Sequence, residues 1–487
     1  MEMTLLGYIV IGLALTSLIL KREYILYYFI FFMPFTASAV LNFRSITYGI
    51  QPSYFFGIIL LAAWGVEKLR TGRKICVPAA NRLLLIFTGV ATASLVLPFV
   101  FHDRVLVVLP EGGNAFLHFS RVNLTQFCYL MFITLVVVFL TDTFSSKKGL
   151  FLKAVKVFLY GGMFVILWGW VQFVIISCQW PYPAWIFNNS MSMCQLWYEN
   201  WYEVPRICSV CAEPSMYSHF MMAYLPVLFF VSFSRLICPT RRSQWYFRFW
   251  FVLGMTQVLM STSTSAYFGS IVLFIFIFYA VWKSVDASLT KVRRLLKIFV
   301  LIFLASGILS FGYLGWALGM RGPTWITTEQ RGEGIQQPLR MEMGKIRDVF
   351  KQVISEKMKT VSGRSRVAQA KMGLEVVKRT FGLGAGWGSM RTSDLGTTVL
   401  SQTGILGFAV FLCWLVLLVS QTCAIVRMLN RHWDEWLIAQ GLLIGFLCCI
   451  VINFIAIPDV IFLYFAFCAA ALTAIGVHPH IFLEKNA

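Results

Sequence analysis

The sequence is short of charge, and above all of acidic residues. Only 13% of its 487 residues are Asp, Glu, Lys or Arg, and 59% are hydrophobic, whereas about a quarter of a typical soluble domain is charged. This composition excludes an ordinary soluble globular protein. Apolar windows of about 20 residues recur from end to end, and each can span a bilayer. The predicted fold class is therefore all-α: a polytopic integral membrane bundle of about 12–14 transmembrane helices, with residues 1–487 forming a single transmembrane domain.

The sequence also lacks the motifs of common soluble chemistries. It contains no Walker loop, no H-E-x-x-H and no G-x-S-x-G, which argues against the nucleotide, zinc-protease and serine-hydrolase reactions those motifs support. Its six histidines do not cluster, and its one C-x-x-C, from Cys208 to Cys211, has no second pair at metal spacing. We therefore expect no metal and no cofactor. These two cysteines, with Cys178 and Cys194, lie outside the predicted spans, where disulfides and free thiols both remain open.

Basic residues outnumber acidic ones by 41 to 21, which gives a formal net charge of +20. In a soluble protein this excess would suggest nucleic acid. Here the positive-inside bias accounts for much of it, and no nucleic-acid partner is expected. Short basic clusters recur between apolar runs, within residues 21–22, 68–74, 147–148, 235–242, 291–297 and 427–431. Placing all of them in the cytoplasm gives a consistent alternation, with the N-terminus outside and the C-terminus inside.

The apolar runs predict the individual spans. They lie at roughly 3–20, 24–41, 53–66, 83–101, 123–141, 153–177, 214–234, 247–260, 266–282, 298–316, 403–422, 436–455 and 459–476. The first run follows no basic segment and precedes no small-residue cleavage site, so we expect a retained helix rather than a cleaved signal peptide.

Two segments outside the spans stand out. Residues 178–213 are rich in Trp, Tyr and Pro, and residues 317–402 form a large loop. Within 321–400, 14 basic and seven acidic residues leave a net charge of about +7. Long loops are translocated largely regardless of their charge, so this basic loop is compatible with an outer location. Its charge indicates an anionic partner.

The large loop is predicted to contain helices. Apolar residues recur at helical spacing over 346–354, with charged and polar residues between them, which is typical of an amphipathic helix. A second helix is predicted from an apolar face that includes Val367, Leu374 and Phe381. Its C-terminus is indicated by basic residues in the last turn and by Gly382 just beyond them.

Alternating glycines follow this second helix in "FGLGAGWGS", from Phe381 to Ser389. A dinucleotide-binding loop would need a preceding strand, whereas a helix precedes these glycines. We predict a turn whose backbone approaches a ligand closely, with Gly384 and Gly386 as substrate-binding residues. The alternative is a simple turn that leads the chain into the next span.

The segment "VPRICSVCAEPSMYSHF" places Arg206 and Glu213 just before an apolar helix that begins near Pro214. A carboxylate at the membrane edge could take a proton from an acceptor hydroxyl. The alternative for Glu213 is helix capping. Arg206 is a candidate phosphate ligand, and its alternative is an arginine snorkelling to the interface.

The large loop carries further arginines that could converge with Arg206 on one anion. They are Arg364, Arg366, Arg379 and Arg391. Arginine forms bidentate hydrogen bonds to phosphate, and the natural anion at the outer membrane boundary is the diphosphate of a lipid carrier. Binding it would stabilise the charge on a departing diphosphate without a metal.

Aromatic and hydroxyl side chains could contact the sugars of the same substrate. Trp201 and Tyr202 could stack on sugar rings, or belong to the interfacial aromatic belt. Ser263, in the turn "MSTSTSAYFG", could hydrogen-bond a sugar, or bond only the backbone of its own turn.

At these residues the chain resembles the family of O-antigen polymerases and ligases. The resemblance is carried by "RICSVCAEPSMYS", by "SGRSRVAQAKMGLEVVKRTFGLGAGWGS" and by "VLSQTGILGF", and with the helix layout it covers roughly residues 75–475. Two departures stand out. Ligases of the family usually carry a histidine in the large loop, and residues 321–400 contain none. Thr264 stands where ligases and many relatives have an arginine. Both departures favour the polymerase branch.

The resemblance implies a metal-independent glycosyltransferase in the bacterial inner membrane, with its active site facing the periplasm. We expect a polymerase for O-antigen or exopolysaccharide that moves glycan from undecaprenyl diphosphate to a lipid-linked repeat unit. The expected partners are that lipid-linked oligosaccharide, membrane lipids and a chain-length regulator. Arg206, Arg364 and Glu213 are the expected catalytic residues. The alternatives are a ligase acting on the lipid A core and a flippase for the same lipid, although few charges lie within the spans.

Overall fold

The computed structural model of this protein describes residues 1–478 except for residues 22, 45–47, 110–112, 179, 192–206, 262, 284–296, 302, 310–360, 430–431 and 461. The predicted amphipathic segment 346–354 lies outside the described residues, as do Arg206, Trp201 and Tyr202.

The described chain is built almost wholly from helices. They are α1 (Leu5–Leu20), α2 (Glu23–Phe31), α3 (Pro52–Thr71), α4 (Ala79–Ser94), α5 (Leu97–Val100), α6 (Arg121–Ser146), α7 (Lys148–Ser177), α8 (Ala184–Phe187), α9 (Pro214–Val231), α10 (Arg241–Met260), α11 (Thr264–Lys283), α12 (Lys297–Leu309), α13 (Val361–Arg379), α14 (Leu395–Met428), α15 (Trp433–Ala456) and α16 (Leu463–Val477). Short antiparallel strands pair in the order β1 (Glu2–Met3), β2 (Leu41–Phe43), β3 (Tyr48–Ile50), and β4 (Leu106–Val108) pairs with β5 (Asn114–Phe116).

The all-α membrane fold is confirmed. Among the described residues, six helical segments are long and apolar enough to cross a membrane: α4 with α5, α6, α7, α11, α14 and α15. Shorter apolar helices, α1, α12 and α16, occupy further predicted spans. Every span predicted from hydropathy contains helix over at least part of its length.

One predicted span is only half helical. Helix α2 ends at Phe31, and residues 32–40 form buried turns instead of continuing the helix to 41. Pro34 explains the break, because the residue before a proline avoids helical geometry. The backbone groups of this irregular stretch find hydrogen-bond partners in the loop after α7. Ala37 N–H donates to the Val210 carbonyl at 3.1 Å, and the Ala37 carbonyl accepts from Ser190 N–H at 3.0 Å. The apolar character of this stretch therefore reflects burial within protein.

Helix α9 lies at the centre of the bundle, where every residue except Ser215 is buried. It runs antiparallel to α15, whose glycines allow close approach. A Cβ at Gly445 would lie 2.4 Å from the Ala223 carbonyl oxygen, and one at Gly441 would lie 3.0 Å from Val227 Cα. Small residues at such contacts let two backbones approach. The pairing brings the N-terminus of α9 beside the C-terminus of α15.

The bundle has two distinct ends, which α6 connects. Asn123, near the start of α6, hydrogen-bonds the loop after α13, and Asp142, near its end, contacts Lys68 at 2.7 Å. The 19 residues between them correspond to ~28 Å of helix, close to the thickness of a hydrocarbon core. We call the first end the cavity end and the second the basic end, because the latter carries the predicted basic clusters at 68–74 and 147–148.

The second predicted loop helix exists as α13, but it packs on a different face. Val367, Leu374 and Phe381 are exposed, whereas Gly373 and Val376 are buried. The reason is the close packing of α13 on α14, since a Cβ at Gly373 would lie 3.0 Å from the Thr392 methyl group, just before α14. The apolar face predicted from spacing is therefore wrong for this helix.

Candidate active site

A cavity of about 310 Å³ opens at the cavity end of the bundle. Its walls come from β4, the start of α9, the first half of α13, the segment before α14 and the loop between α15 and α16. The charged and amide side chains among its lining are Glu213, Arg366, Gln369, Arg391 and Asp459. Both predicted outer segments therefore contribute to one cavity, and Glu213, Arg366 and Arg391 are brought together as predicted.

The loop that leads to Glu213 is held by buried hydrogen bonds. Gln172 of α7 accepts from Cys208 N–H at 3.0 Å and from Ser209 N–H at 2.8 Å. The Ser209 hydroxyl donates to the Val165 carbonyl at 2.7 Å, and Thr36 Oγ1 accepts from Ala212 N–H at 3.0 Å. Buried backbone groups need such partners. Satisfied in this way, the loop fixes the position of Glu213.

Glu213 begins helix α9 without capping it. It occupies the N-cap position with extended backbone angles, yet its side chain accepts no hydrogen bond from the first backbone N–H groups. Its carboxylate instead accepts from the Ser215 hydroxyl and lines the cavity. A cap hydrogen bond therefore does not account for this residue, and its position at the helix start still suits the helix dipole. Within the described part of the chain, no cationic group lies within ion-pair distance of Glu213.

Arg391 is held in the cavity wall by an ion pair. Its Nη2 lies 2.6 Å from Asp459 Oδ2, and the two side chains are 38% and 18% exposed. Its backbone N–H donates to the Val108 carbonyl of β4 at 3.1 Å. A guanidinium has five N–H donors, so the pair with Asp459 orients Arg391 and leaves donors for a ligand.

Arg366 projects into the cavity from α13, near the amide of Gln369. The Ser393 hydroxyl donates to Gln369 Oε1 at 2.9 Å, which joins α13 to the segment that carries Arg391. Among the described residues, Arg366 has no carboxylate within ion-pair distance. Arg364 is exposed and is not part of the cavity lining. Two residues correspond to about 200° around a helix, so Arg364 and Arg366 point to nearly opposite sides of α13. The arginine that we expect to contact the diphosphate is therefore Arg366 rather than Arg364.

The alternating glycines, residues 382–389, form a packing element that we call the glycine loop. Gly384 and Gly386 have φ values of +87° and +96°, in the region that favours glycine. A Cβ at Gly384 would lie 2.7 Å from Gly404 N, and one at Gly386 would lie 2.7 Å from the Ser94 carbonyl oxygen. The close approach predicted from the sequence is therefore to protein backbone.

The N–H groups of the glycine loop also bond protein. Gly384 N–H donates to the Thr380 hydroxyl at 2.9 Å, and Gly386 N–H donates to the Gln402 carbonyl at 2.9 Å. Gly388 N–H donates to Gln402 Oε1 at 3.1 Å. Because these donors are occupied and the residues are buried, we correct the prediction that Gly384 and Gly386 bind substrate. They dock the large loop onto the helices.

Two other predicted binding residues lie away from the cavity. Arg379 is ion-paired with Glu375 at 3.0 Å on the exposed surface of α13. Thirteen residues separate it from Arg366, or ~20 Å along the helix, so one diphosphate cannot contact both. Ser263 is buried in the turn between α10 and α11, where its carbonyl accepts from Ala266 N–H at 3.0 Å. The Ser263 backbone therefore takes part in the turn, and the role of its hydroxyl stays a prediction.

Two cysteines near the site are free thiols, Cys178 and Cys211, and Cys194 lies outside the described residues. Cys208 Sγ accepts from Gln172 Nε2 at 3.2 Å. The Cys211 thiol donates to the Pro34 carbonyl at 3.3 Å, and burial raises its pKa well above the usual value. It remains protonated and acts as a packing group. No group of three or more potential metal ligands occurs within the described ranges.

Sequence reasoning missed Asp459 and Gln369. Asp459 was read as the start of the last span, but α16 begins only at Leu463 and residues 457–460 form a loop. A usable signal was present: "IPD" places a carboxylate after a proline, between two apolar helices, on the side of the basic loop. Gln369 follows Arg366 by three residues and therefore shares its helical face.

No family model matches this chain, and no curated protein matches it. The geometry of the cavity and the residues that line it therefore carry the functional argument.

Proposed function

We propose that this protein is a bacterial polysaccharide polymerase of the inner membrane, with the cavity facing the periplasm. It transfers a glycan from undecaprenyl diphosphate to a lipid-linked repeat unit, for O-antigen or exopolysaccharide. The observation that carries the proposal is the convergence of Arg366, Arg391 and Glu213 in one cavity at a bundle end. Glu213 lies more than 150 positions before the two arginines in the sequence.

The charges of the cavity suit a diphosphate donor and a hydroxyl acceptor. Arg366 has no carboxylate partner among the described residues, and Arg391 keeps free donors beside its pair with Asp459. Guanidinium groups bind phosphate oxygens by short, charge-assisted hydrogen bonds. Glu213 supplies a carboxylate that is not neutralised by any described cation, so it can accept a proton.

The reaction follows from these positions. The acceptor hydroxyl oxygen attacks the anomeric carbon of the donor sugar, and the bond between that carbon and the phosphate oxygen breaks. The electron pair of that bond leaves with undecaprenyl diphosphate, and Glu213 takes the hydroxyl proton. Arg366 and Arg391 stabilise the charge on the departing diphosphate, which is electrostatic catalysis by preorganised donors.

Reconstitution in liposomes with a defined lipid-linked repeat unit tests the proposal. The wild-type protein should produce a ladder of lengthening lipid-linked products. Arg366→Ala and Glu213→Gln should abolish the ladder, whereas Arg364→Ala should retain it, because that side chain lies outside the cavity. When a lipid A core is added as a second acceptor, a single product on that core, without chain growth, would favour a ligase. Transbilayer movement of the lipid without any new glycosidic bond would favour a flippase.

A further inference from the structure

A second cavity, of about 550 Å³, lies at the basic end of the bundle, far from the candidate active site. It is bounded by α2, α3, α6 and the turn after α3. One face of α3 lines it, through Leu60, Ala63, Trp64 and Lys68, and this face changes from apolar to charged along its length. The eight residues from Leu60 to Lys68 correspond to ~12 Å of helix. The cavity therefore extends from a charged mouth into an apolar interior.

Its mouth is organised around a buried carboxylate. Asp142 of α6 accepts from Trp64 Nε1 at 3.0 Å and from Cys76 N–H at 2.9 Å, and it pairs with Lys68 at 2.7 Å. Asp142 is only 4% exposed. Its negative charge is balanced by Lys68, and its oxygens are hydrogen-bonded by Trp64 and Cys76. Its role is to fix Lys68 and the turn after α3 at the rim.

The remaining charges of the mouth leave a positive excess. Arg73, Lys74 and Lys147 line it together with Glu23 and Glu67, so three cations face two carboxylates, with histidine counted as neutral. The excess of one positive charge matches one phosphodiester.

A hydroxyl in the wall adds a hydrogen-bonding group. Ser145 Oγ is buried and has no hydrogen-bond partner among the described residues. Buried polar atoms are normally partnered, and a headgroup oxygen at the mouth would supply the missing partner.

We infer that this cavity binds a phospholipid whose headgroup carries a single net negative charge, such as phosphatidylglycerol. The phosphate lies among Arg73, Lys74 and Lys147, and an acyl chain follows the apolar wall formed by Leu60 and Ala63. Basic pockets between transmembrane helices recognise lipid headgroups in this way. The apolar depth selects a lipid over a soluble phosphate compound, which would fill only the mouth. The inference is independent of the glycan chemistry at the other end.

Native mass spectrometry of the full-length protein in detergent tests this inference. The probes are dioleoyl phosphatidylglycerol and dioleoyl phosphatidylcholine, which share their acyl chains. The wild-type protein should retain the first in preference to the second. Each basic group near a headgroup contributes roughly five-fold in affinity, so Arg73→Gln with Lys74→Gln should lower phosphatidylglycerol retention roughly 25-fold.

The matched control is Arg241→Gln with Arg242→Gln, which removes two exposed arginines of α10 that do not line the cavity. It should leave retention unchanged. Ala63→Phe fills the apolar part, keeps every charge, and should also lower retention. Thermal unfolding by tryptophan fluorescence verifies the folding of each variant. If the Arg73/Lys74 variant misfolds, Lys147→Gln replaces it, with an expected roughly five-fold loss of retention.

Three results would overturn the inference. One is equal retention of the two lipids by the wild-type protein. Another is an equal loss in the control and in the Arg73/Lys74 variant. The third is displacement of bound lipid by millimolar glycerol 3-phosphate with no effect of Ala63→Phe, which would assign the mouth to a soluble phosphate.

Discussion

Gly386→Ala should loosen the whole cavity end of the protein. Gly386 has φ of +96°, and an added Cβ would lie 2.6 Å from Pro98 Cδ and 2.7 Å from the Ser94 carbonyl oxygen. The left-handed backbone costs about 1–2 kcal/mol for a residue with a Cβ, and overpacking against backbone costs about 1–3 kcal/mol more. The expected loss in the free energy of unfolding is thus about 2–5 kcal/mol.

Gly113→Ala separates the two contributions. Gly113 also has a left-handed backbone, with φ of +82°, but an added Cβ would meet no described atom within 4 Å. Gly113→Ala should therefore lower the free energy of unfolding only by the backbone cost of about 1–2 kcal/mol. Unfolding in mixed detergent and SDS micelles, followed by tryptophan fluorescence, measures both variants. Equal destabilisation of the two would refute the close packing of the glycine loop on α4 and α5.

The same substitution should reduce activity out of proportion to the fraction unfolded. Gly386 lies five residues before Arg391 in the chain, and the glycine loop docks the segment that carries this arginine. A displaced loop moves Arg391 relative to Glu213, and catalysis is sensitive to shifts of about 1 Å. Initial rates of polymer formation, measured where the variant is fully folded, test this effect. A folded Gly386→Ala protein with wild-type rates would contradict the positional role of the loop.

Further predictions concern the supports of the site. In a double-mutant cycle, Arg391→Ala and Asp459→Ala should show a coupling energy of about 1–2 kcal/mol, a value already lowered for the partial exposure of the pair. Additive losses of unfolding free energy would mean that the two side chains are not paired. Asn123→Leu removes two buried hydrogen bonds to the glycine loop and should cost about 2–3 kcal/mol of unfolding free energy in the same micelle assay, where wild-type stability would contradict the contact. Gln172→Leu should speed hydrogen exchange of the Cys208 and Ser209 backbone amides, read by mass spectrometry, because both N–H groups lose their acceptor; an unchanged exchange rate would show that the loop is held otherwise.

Hydropathy predicted the helices well because a bilayer leaves the backbone few choices. In lipid every N–H and carbonyl must be satisfied within the segment, which favours helices. The rule fails where apolar residues are buried by protein instead of lipid. Residues 32–40 show this, since their backbone groups find partners in the loop after α7. Hydropathy alone does not distinguish the two kinds of burial.

The site was predicted in part, and the errors are of one kind. Charge and residue type identified Glu213, Arg366 and Arg391, which the fold brings into one cavity. The rotation of α13 about its axis and its position decide which of its arginines line the cavity. Arg364 and Arg379 do not line it. Helix phase depends on packing against α14, which local sequence does not encode.

The glycine loop was located correctly but interpreted wrongly. Positive φ values at alternate glycines are a backbone property that the sequence indicates. Which atoms approach the glycines is a tertiary property. The N–H groups of Trp387 and Gly388 in this loop donate to Ser94 of α4 and Gln402 of α14, and no local pattern predicts that these residues meet.

The most direct test of the account is the affinity for undecaprenyl diphosphate itself. Isothermal titration of the detergent-solubilised protein should give a dissociation constant that rises roughly 10- to 100-fold in Arg366→Ala, because one charge-assisted contact is lost. Arg379→Ala, which changes the same residue type on the same helix but lies ~20 Å away, should bind like the wild-type protein. Equal affinities in the wild-type and Arg366→Ala proteins, or an equal loss in both variants, would contradict a diphosphate site in this cavity.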